Sequence, residues 1–482
     1  MRSTFFGINI GYKALQAQQR ALDVTSHNIA NANTQGYTRQ DVIMSASQPI
    51  KVLQGYVGTG VDIVEFRRIR DGFLDNQIRT ENKALGEWEV RSDILSKLEV
   101  VFNEPSEEAG LRSVMDQYWE AWQQLTKNPE SSAVRANVVQ RGITLVDTFN
   151  HMDRLFHELQ VDINKSISIR ADEVNSIGRQ VRDLNEQIIK AEAAGQKAND
   201  LRDKRDLLVE QLSKIVDVDV VEDEFGAVNV SVGGYTLVSR GYLAELRFTD
   251  DDINPTNAKL EWVDPMSGNV LGPARVKSGM LKGFIDMRDE VIGGSNGYIS
   301  KIGELAAGIA QEVNTLHRQG RDLNGDLGEE FFVTKDPLNP TFSAGNIAVN
   351  QNIVNDTNKI AASKNNLPDP VIEGDNTNAL AIAQLKNKKT MNGGVASFDD
   401  FYRSAVGKLG VQSQEAERMV NNQSLLVDQL QNKREGISGV SLDEEMTNMI
   451  KFQHAYSAAA RIINTMDEML EVIVNRLGMV GR

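Results

Sequence analysis

The most regular pattern in the chain lies at its end. Leu442, Met449, Tyr456, Ile463, Leu470 and Leu477 fall at steps of seven, and three residues after each runs a second series of Glu445, Phe452, Ala459, Met466, Ile473 and Val480. From Met449 onward both series are apolar or alanine, while the intervening Arg461, Asn464, Asp467, Glu468, Glu471 and Asn475 are polar. A heptad sustained over about five repeats predicts a long coiled-coil helix with one polar exception in its seam. The N-terminus carries a shorter counterpart in Ile8, Leu15, Leu22 and Ile29, with Ala14, Ala17 and Ala21 close to the stripe. Neither segment can bury its stripe alone, so the first and last helices are expected to pair and the rest of the chain becomes an insertion between them.

After Ile29, a run rich in Asn, Thr and Gly ends the first helix, and two β-rich stretches over 37–44 and 60–69, joined through Pro49, Gly55, Gly58 and Gly60, predict a hairpin or small β-lobe. Helical periodicity resumes with Leu74, Ile78, Leu85, Leu95 and Leu98, and a second helix puts Leu111, Val114, Met115, Tyr118, Trp119, Trp122 and Leu125 on one face. A third, much longer run starts near Ser132 and carries Val138, Leu145, Met152 and Leu159, then Ile167, Val174, Val181 and Ile188; it reads as a helical rod with a break near Gly195. β-formers follow from 216, helix returns over 279–317, loops with short strands and a short helix near 379–385 fill 322–394, and a last helical hairpin begins near Phe398 and turns at 436–439.

The expected fold is therefore mainly α with a β-rich insertion: an elongated multidomain rod whose terminal helices pair as a coiled coil. Three domains are expected. A terminal polymerisation domain takes 1–72 with 440–482, a helical rod takes 73–215 with 280–325 and 395–439, and an outer β-rich domain takes 216–279 with 326–394.

With 67 acidic and 52 basic residues the formal charge is -15, which repels phosphate backbones and anionic lipid, so neither nucleic acid nor membrane is an expected partner. The chain has no cysteine, which removes disulfides, thiolate metal sites and cysteine nucleophiles. Its first eleven residues lack the apolar run of a cleaved leader, and no stretch approaches the roughly 18 apolar residues of a membrane span. The protein is expected to be cytoplasmic or exported without a cleaved signal.

Several motifs imitate chemistry. Gly293, Ser295 and Gly297 spell the G-x-S-x-G of a nucleophile elbow, and His317 could be drafted as its base, but an elbow follows a buried strand, the preceding residues are amphipathic-helical, and a single His near a helix end is more often a polar cap or packing residue. The alternation of Asp322, Asn324 and Asp326 resembles the start of a calcium loop, yet Leu327 stands where the turn glycine belongs and Val333 where the bidentate Glu belongs. Tyr118, Trp119 and Trp122 have helical spacing and read as core rather than a ligand platform. Gly55, Gly58 and Gly60 lack the following Lys and Ser or Thr of a phosphate loop. No catalytic residue, cofactor or metal is expected.

The run over 22–40, with Asn28, Ile29, Ala30, Asn31, Thr34, Gly36, Tyr37 and Arg39, resembles the N-terminal motif of the flagellar rod, hook and hook-associated axial proteins. The matching C-terminal motif is resembled by 438–446 and by Phe452, Gln453, His454, Ala455 and Tyr456. Within that family the long helical section from 74 to 215, the Asp200–Asp206 segment and the stretch over 313–325 resemble the members at the hook–filament junction rather than rod or hook subunits. The resemblance implies a non-enzymatic subunit, exported unfolded, that polymerises with copies of itself through its termini as a ring or helix. It also implies contacts with hook protein and with a second junction protein on the filament side, and an export chaperone holding the C-terminal seam. The seam expected to drive assembly is Ile8, Leu15, Leu22 and Ile29 with Leu442, Met449, Phe452, Tyr456, Ile463, Met466, Leu470, Ile473 and Leu477.

Overall fold

The structure is a computed structural model describing residues 5–52, 55–102, 110–193, 195–249, 255–336, 338–364 and 374–475. Helix α1 (Phe6–Ala30) leads into strands β1 (Gln40–Ala46), β2 (Ile50–Val52), β3 (Gly55–Val57) and β4 (Val61–Arg68). These are two antiparallel pairs, β1 with β4 and β2 with β3, as the alternation over 37–69 predicts. Helices α2 (Gly72–Phe102), α3 (Leu111–Lys127), α4 (Ser132–Glu192) and α5 (Asn199–Ile215) follow. At 61 residues α4 is the spine of the molecule, about 90 Å long.

Strands β5 (Val218–Glu222), β6 (Val228–Val232), β7 (Tyr235–Ser239) and β8 (Tyr242–Leu243) form an antiparallel meander, and β9 (Glu245–Thr249), β10 (Lys259–Val263) and β11 (Val270–Pro273) form a second sheet. Helix α6 (Met280–Asp286) runs into a π-helical turn, Met287–Ile292, before α7 (Tyr298–His317). Short elements complete the insertion: β12 (Gly320–Arg321), β13 (Phe332–Thr334), β14 (Ile347–Val349), α8 (Gln351–Asn355), β15 (Ser363–Lys364) and α9 (Thr377–Gln384). Helix α10 (Phe398–Ser438) starts from a capping box in which Ser397 and Asp400 each bond the other's backbone N–H. Helix α11 (Leu442–Asn475) closes the chain.

The buried face of α4 shows why it stays one helix. Val138, Gly142, Leu145, Phe149, Met152, Phe156, Gln160, Ile163, Ile167, Ala171, Val174, Gly178, Val181, Asn185 and Ile188 advance by threes and fours, with extra steps of four between 156 and 171. Those extra steps absorb the drift of a 3.6-residue turn against a strict heptad. Where the row is interrupted, a strand takes the gap. A side chain at Gly142 would meet the Phe331 ring, and one at Gly178 would meet Leu243 and Leu237. Asn175 donates its Nδ2 to the Leu246 carbonyl and accepts the Leu246 N–H, both at 2.7 Å. Asn185 does the same for Val228 at 2.8 and 3.0 Å. A buried amide thus substitutes for a missing neighbour strand and satisfies backbone groups that would otherwise be unpaired.

Tyr118, Trp119 and Trp122 are buried among Phe331, Phe332 and Phe398, with Trp119 stacked on Phe398 at 5.9 Å. They are core, as their spacing predicts. The first and last helices pair antiparallel. Here the structure differs from the expectation in one respect: the face that α1 turns to α11 is not the Ile8, Leu15, Leu22 and Ile29 stripe but the row one residue before it.

Candidate assembly site: the terminal helix pair and its joint

Gly7 lies under Met466 and Gly11 under Ile463, so close that a Cβ on either glycine would stand 2.8 and 2.7 Å from those side chains. Ala21, Thr25 and Asn28 continue the row and are buried. Partners on the two helices add to nearly the same number, Gly7 with Met466 and Asn28 with Glu445, as a constant antiparallel register requires. Large residues of α11 therefore seat into gaps left by small residues of α1, which brings the two backbones close. Gln18 stands in the middle of this row, with a buried Oε1 that accepts no hydrogen bond from the described residues.

Ile8, Leu15, Leu22 and Ile29 stand one position round α1 and are half-buried. On α11, Met449, Phe452, Tyr456, Ile463, Met466 and Leu470 are partly covered and Ala459 is buried, which follows the predicted heptad. Leu442 and Ile473 are exposed, and Leu477 lies outside the described residues.

At the base of the pair the polar motif residues converge. Asn28 uses its full hydrogen-bonding capacity: Nδ2 donates to the Gln40 carbonyl (2.9 Å) and Glu445 Oε2 (3.0 Å), and Oδ1 accepts from Gln40 N–H (3.0 Å) and the Tyr37 hydroxyl (2.7 Å). Arg39 donates to Glu445 Oε1 at 2.8 Å and Glu444 Oε2 at 2.7 Å, and its N–H bonds the Ser438 carbonyl at 2.9 Å. Asn31 caps α1 by donating to the His27 carbonyl and accepts from Thr34 Oγ1. Ile29 is half-buried and Ala30 exposed. Gly36 has a φ of 78° and packs on Leu207, where a side chain would be strained.

The third contributor is α5. Asp203 accepts the Thr38 N–H at 2.9 Å and Arg68 Nη1 at 2.7 Å, while Asp206 Oδ2 accepts from Arg68 at 2.9 Å and Arg70 at 2.8 Å. Asp200 accepts from Gln40 Nε2 at 2.7 Å and lies 3.3 Å from His27. Arg70 also reaches Asp75, and Arg434 of α10 binds Glu210. The two central carboxyls respond differently. Burial pushes Asp203 above its ordinary pKa despite Arg68, whereas for Asp206 burial is outweighed by Arg70, Arg205 and Arg68, which pull it below. Burial, with Asp200, Asp203 and Glu445 nearby, holds the Tyr37 phenol protonated. Deleting one member of such a network strands its partner's buried charge, at a cost of about 3–5 kcal/mol.

The joint thus ties α1, α11, the β1–β4 lobe and the α5 and α10 ends of the rod into one unit. Its α5 and Arg68 members carry no hydrophobic period; the signal available for them was the clustering of Asp200, Asp203 and Asp206 with Arg202 and Arg205.

The decoys are disposed of by position. Ser295 and His317 sit beyond or at opposite ends of the 20-residue helix α7, about 30 Å apart, and cannot act together. His317 is buried and bonded to backbone on both ring nitrogens. Asp322 accepts the Asp326 N–H in a turn, and among the described residues no group of three His, Asp or Glu side chains is placed to hold a metal.

Comparison with known proteins agrees with this layout. The model described as the flagellar hook-associated protein FlgK helical domain matches residues 95–332. The flagella basal body rod protein model matches 8–38, and the flagellar basal body rod FlgEFG protein C-terminal model matches 435–477. Flagellar hook-associated protein 1 of Bacillus subtilis is 34% identical, with 100% of each chain covered. The chain belongs to the flagellar hook-associated protein 1 family. The relative from Escherichia coli is 28% identical over 97% of this chain and 99% of its own. The flagellar hook junction protein FlgK from Burkholderia pseudomallei shares the fold, with a TM-score of 0.65 at 16% identity over 75% of this chain and 100% of that one. The rod-type models match the ends, where the joint and the helix pair are built, and the FlgK-type model matches most of the helical rod. Membership in the family makes the protein a structural component of the flagellum. No helix among the described residues is long and apolar enough to cross a membrane.

Proposed function

We propose that this protein is the subunit that joins flagellar hook to filament and that it polymerises through its terminal helix pair. The observation that carries the reading is the joint: motif residues from 28–40, 200–206 and 438–445 meet in one hydrogen-bonded cluster, so the paired ends are held in a fixed pose on the rod. Full-length similarity to proteins named hook-associated protein 1 supports the same reading. A rod or hook subunit is disfavoured by the FlgK-type helical domain, and no catalytic role is proposed.

On this reading the chain leaves the cell through the flagellar export apparatus, and a chaperone holds the α11 seam until assembly. The helix pair, with Ile8, Leu15, Leu22, Ile29 and the α11 heptad residues, then orders among copies of itself. Hook protein lies on one side and a second junction protein on the other. The terminal pair with its lobe, the helical rod and the β-rich insertion serve as polymerising, coupling and outer parts. Burying a large seam residue contributes roughly 1.5–3 kcal/mol before ordering entropy is subtracted, a gain available only when a neighbour covers it.

The test is a source bacterium whose chain ends before Leu442. Bare hooks, with unassembled filament subunit in the medium, are expected. Normal filaments would remove the assignment, and loss of the hook itself would move the protein to the rod or hook class.

A further inference from the structure

The chain carries three Asn–Gly pairs, Asn296–Gly297, Asn324–Gly325 and Asn392–Gly393. In such a pair the glycine has no side chain to keep its own amide nitrogen away from the asparagine side chain before it, so the backbone can attack the side-chain amide. All three asparagines are exposed. What separates them is the glycine N–H, which has to be released before its nitrogen becomes a nucleophile.

Gly297 is buried and donates to the Gly294 carbonyl at 2.7 Å, in a fold so tight that a Cβ on it would stand 2.6 Å from the Ile292 carbonyl oxygen. Gly325 donates to the Asp322 carbonyl at 3.2 Å, and the Asp322 carboxylate, which Asn324 Nδ2 approaches at 3.4 Å, opposes the negative charge that builds on an attacked amide. Asn392–Gly393 lies in the turn between α9 and α10. There Met391 N–H bonds the Ala396 carbonyl at 2.9 Å, and the N–H groups of Gly394, Val395 and Ala396 all return to the Met391 carbonyl at 3.1–3.2 Å. Gly393 N–H is passed over, and neither it nor the Asn392 side-chain amide has a hydrogen-bond partner among the described residues. Residues 392–395 are exposed, and nothing stands within 4 Å of where a Gly393 Cβ would be. Asn392 and Gly393 have φ of 52° and 71°. That left-handed conformation gives Asn392 no advantage over the extended conformers that the two following glycines let it reach.

We infer that Asn392 is a site of self-modification by deamidation. Gly393 N–H gives its proton to solvent base and the nitrogen attacks Asn392 Cγ. The N–Cγ bond forms, the Cγ–Nδ2 bond breaks, and Nδ2 takes a proton from water and leaves as ammonia. Water then opens the cyclic imide at Cγ, giving aspartate, or at the backbone carbonyl, giving isoaspartate with the main chain running through Cγ. In either case one amide and one water become a carboxylate and ammonium, with water as the sole co-reactant. The two products differ in consequence. Aspartate tolerates the left-handed region as asparagine does, so it keeps the turn and adds one negative charge. Isoaspartate adds a carbon to the backbone inside a turn closed by the Met391–Ala396 bonds, and Met391 is buried against α7 at Gly308, next to Phe398 of α10. The inference goes beyond the junction reading and stands apart from it, since it uses only the geometry of this turn.

The test keeps the purified full-length protein in mildly alkaline heavy-oxygen water below its melting temperature, digests it and weighs the peptides, with each site's rate taken relative to the same site in denaturant. On that scale Asn392 should stay near the denatured rate while Asn296 and Asn324 fall about tenfold behind, the order expected where a hydrogen bond must first be broken. The Asn392 peptide should carry the heavy oxygen and separate into two products of equal mass, one of them labelled by protein isoaspartate methyltransferase. Gly393→Ala, which sets a β-carbon against the attack, should slow the site to the level of the other two. Should that variant disturb the turn, Asn392→Gln, whose longer side chain closes a larger and less favoured ring, should abolish the product with the melting temperature unchanged. An Asn392 that survives while Asn296 or Asn324 converts, or three sites with equal relative rates in the folded chain, would overturn the inference.

Discussion

His317 ties the stability of the fold to solution pH. Its Nδ1 pairs with the Glu329 carbonyl at 2.5 Å and its Nε2 accepts the Ala361 N–H at 2.9 Å, an arrangement met by the neutral ring with its proton on Nδ1. Burial, opposed by the Glu329 carbonyl and reinforced by Arg135, lowers the ring to about 4. An unfolded histidine titrates near 6.5, so between those values the unfolded chain takes up a proton that the folded chain refuses. The stabilisation from this site is complete above the unfolded pKa and is lost as pH falls toward the folded one, a swing of about 3 kcal/mol. The melting temperature of the purified protein should drop between pH 7 and pH 5, and His317→Gln, which can keep one donor and one acceptor, should flatten that dependence. Parallel pH profiles for the two proteins would assign the slope elsewhere. The structural use of this histidine was partly legible, since a lone His at a helix end reads as a packing or capping group. Its two backbone partners, 12 and 44 residues away, were not.

Among elements, the α1–α11 pair shows where reading hydrophobic periods succeeds and where it slips. The α11 seam follows its heptad because large side chains there must be covered. The α1 row was placed one residue away because the pattern favours the largest apolar residues, whereas the helix offers Gly7 and Gly11 to make room for Met466 and Ile463. Asn175 and Asn185 of α4 carry no hydrophobic signal, yet each is buried by pairing with a strand residue. The two glycines of α1 should respond differently to the same methyl group. At Gly7 the added carbon meets the flexible end of Met466, which can swing aside; at Gly11 it meets Cγ1 of the β-branched Ile463, whose rotamer is fixed by the helix. Gly11→Ala should therefore reduce swimming and the number of filaments per cell well below Gly7→Ala, by about tenfold if about 1.4 kcal/mol of pairing energy is lost. Equal phenotypes would mean that close approach of the helices at Gly11 is not required.

For the whole molecule, the decisive fact is where the apolar core stops. One continuous cluster runs from Val90 of α2 through α3, α4, both β-sheets and α7 to Ala416 of α10, and it takes in no described residue of α1, α11 or the β1–β4 lobe. The ends are tied to the rod chiefly through the polar joint, and the pairing of the ends was legible because each end carried its own period. The joint was not, because its contacts link Arg68 to Asp203 and Arg39 to Glu445 across 135 and 406 residues with no periodic signal between them. This division predicts independent stability for the rod. A chain of residues 72–438 keeps every member of the core cluster and loses only residues whose burial depends on the terminal pair and its lobe. It should therefore unfold in a single transition, with a melting temperature within about 5 °C of the full chain, and sediment as a monomer. The same piece should fail to restore filaments in cells lacking the full protein. If it melts broadly or is unfolded, then the joint stabilises the rod as well as orienting the ends, since removing 1–71 leaves Asp203 and Asp206 without Thr38, Arg68 and Arg70. Asp203→Asn with Asp206→Asn in the 72–438 piece separates the two causes: recovery of a sharp transition would assign the loss to stranded charge rather than to missing core.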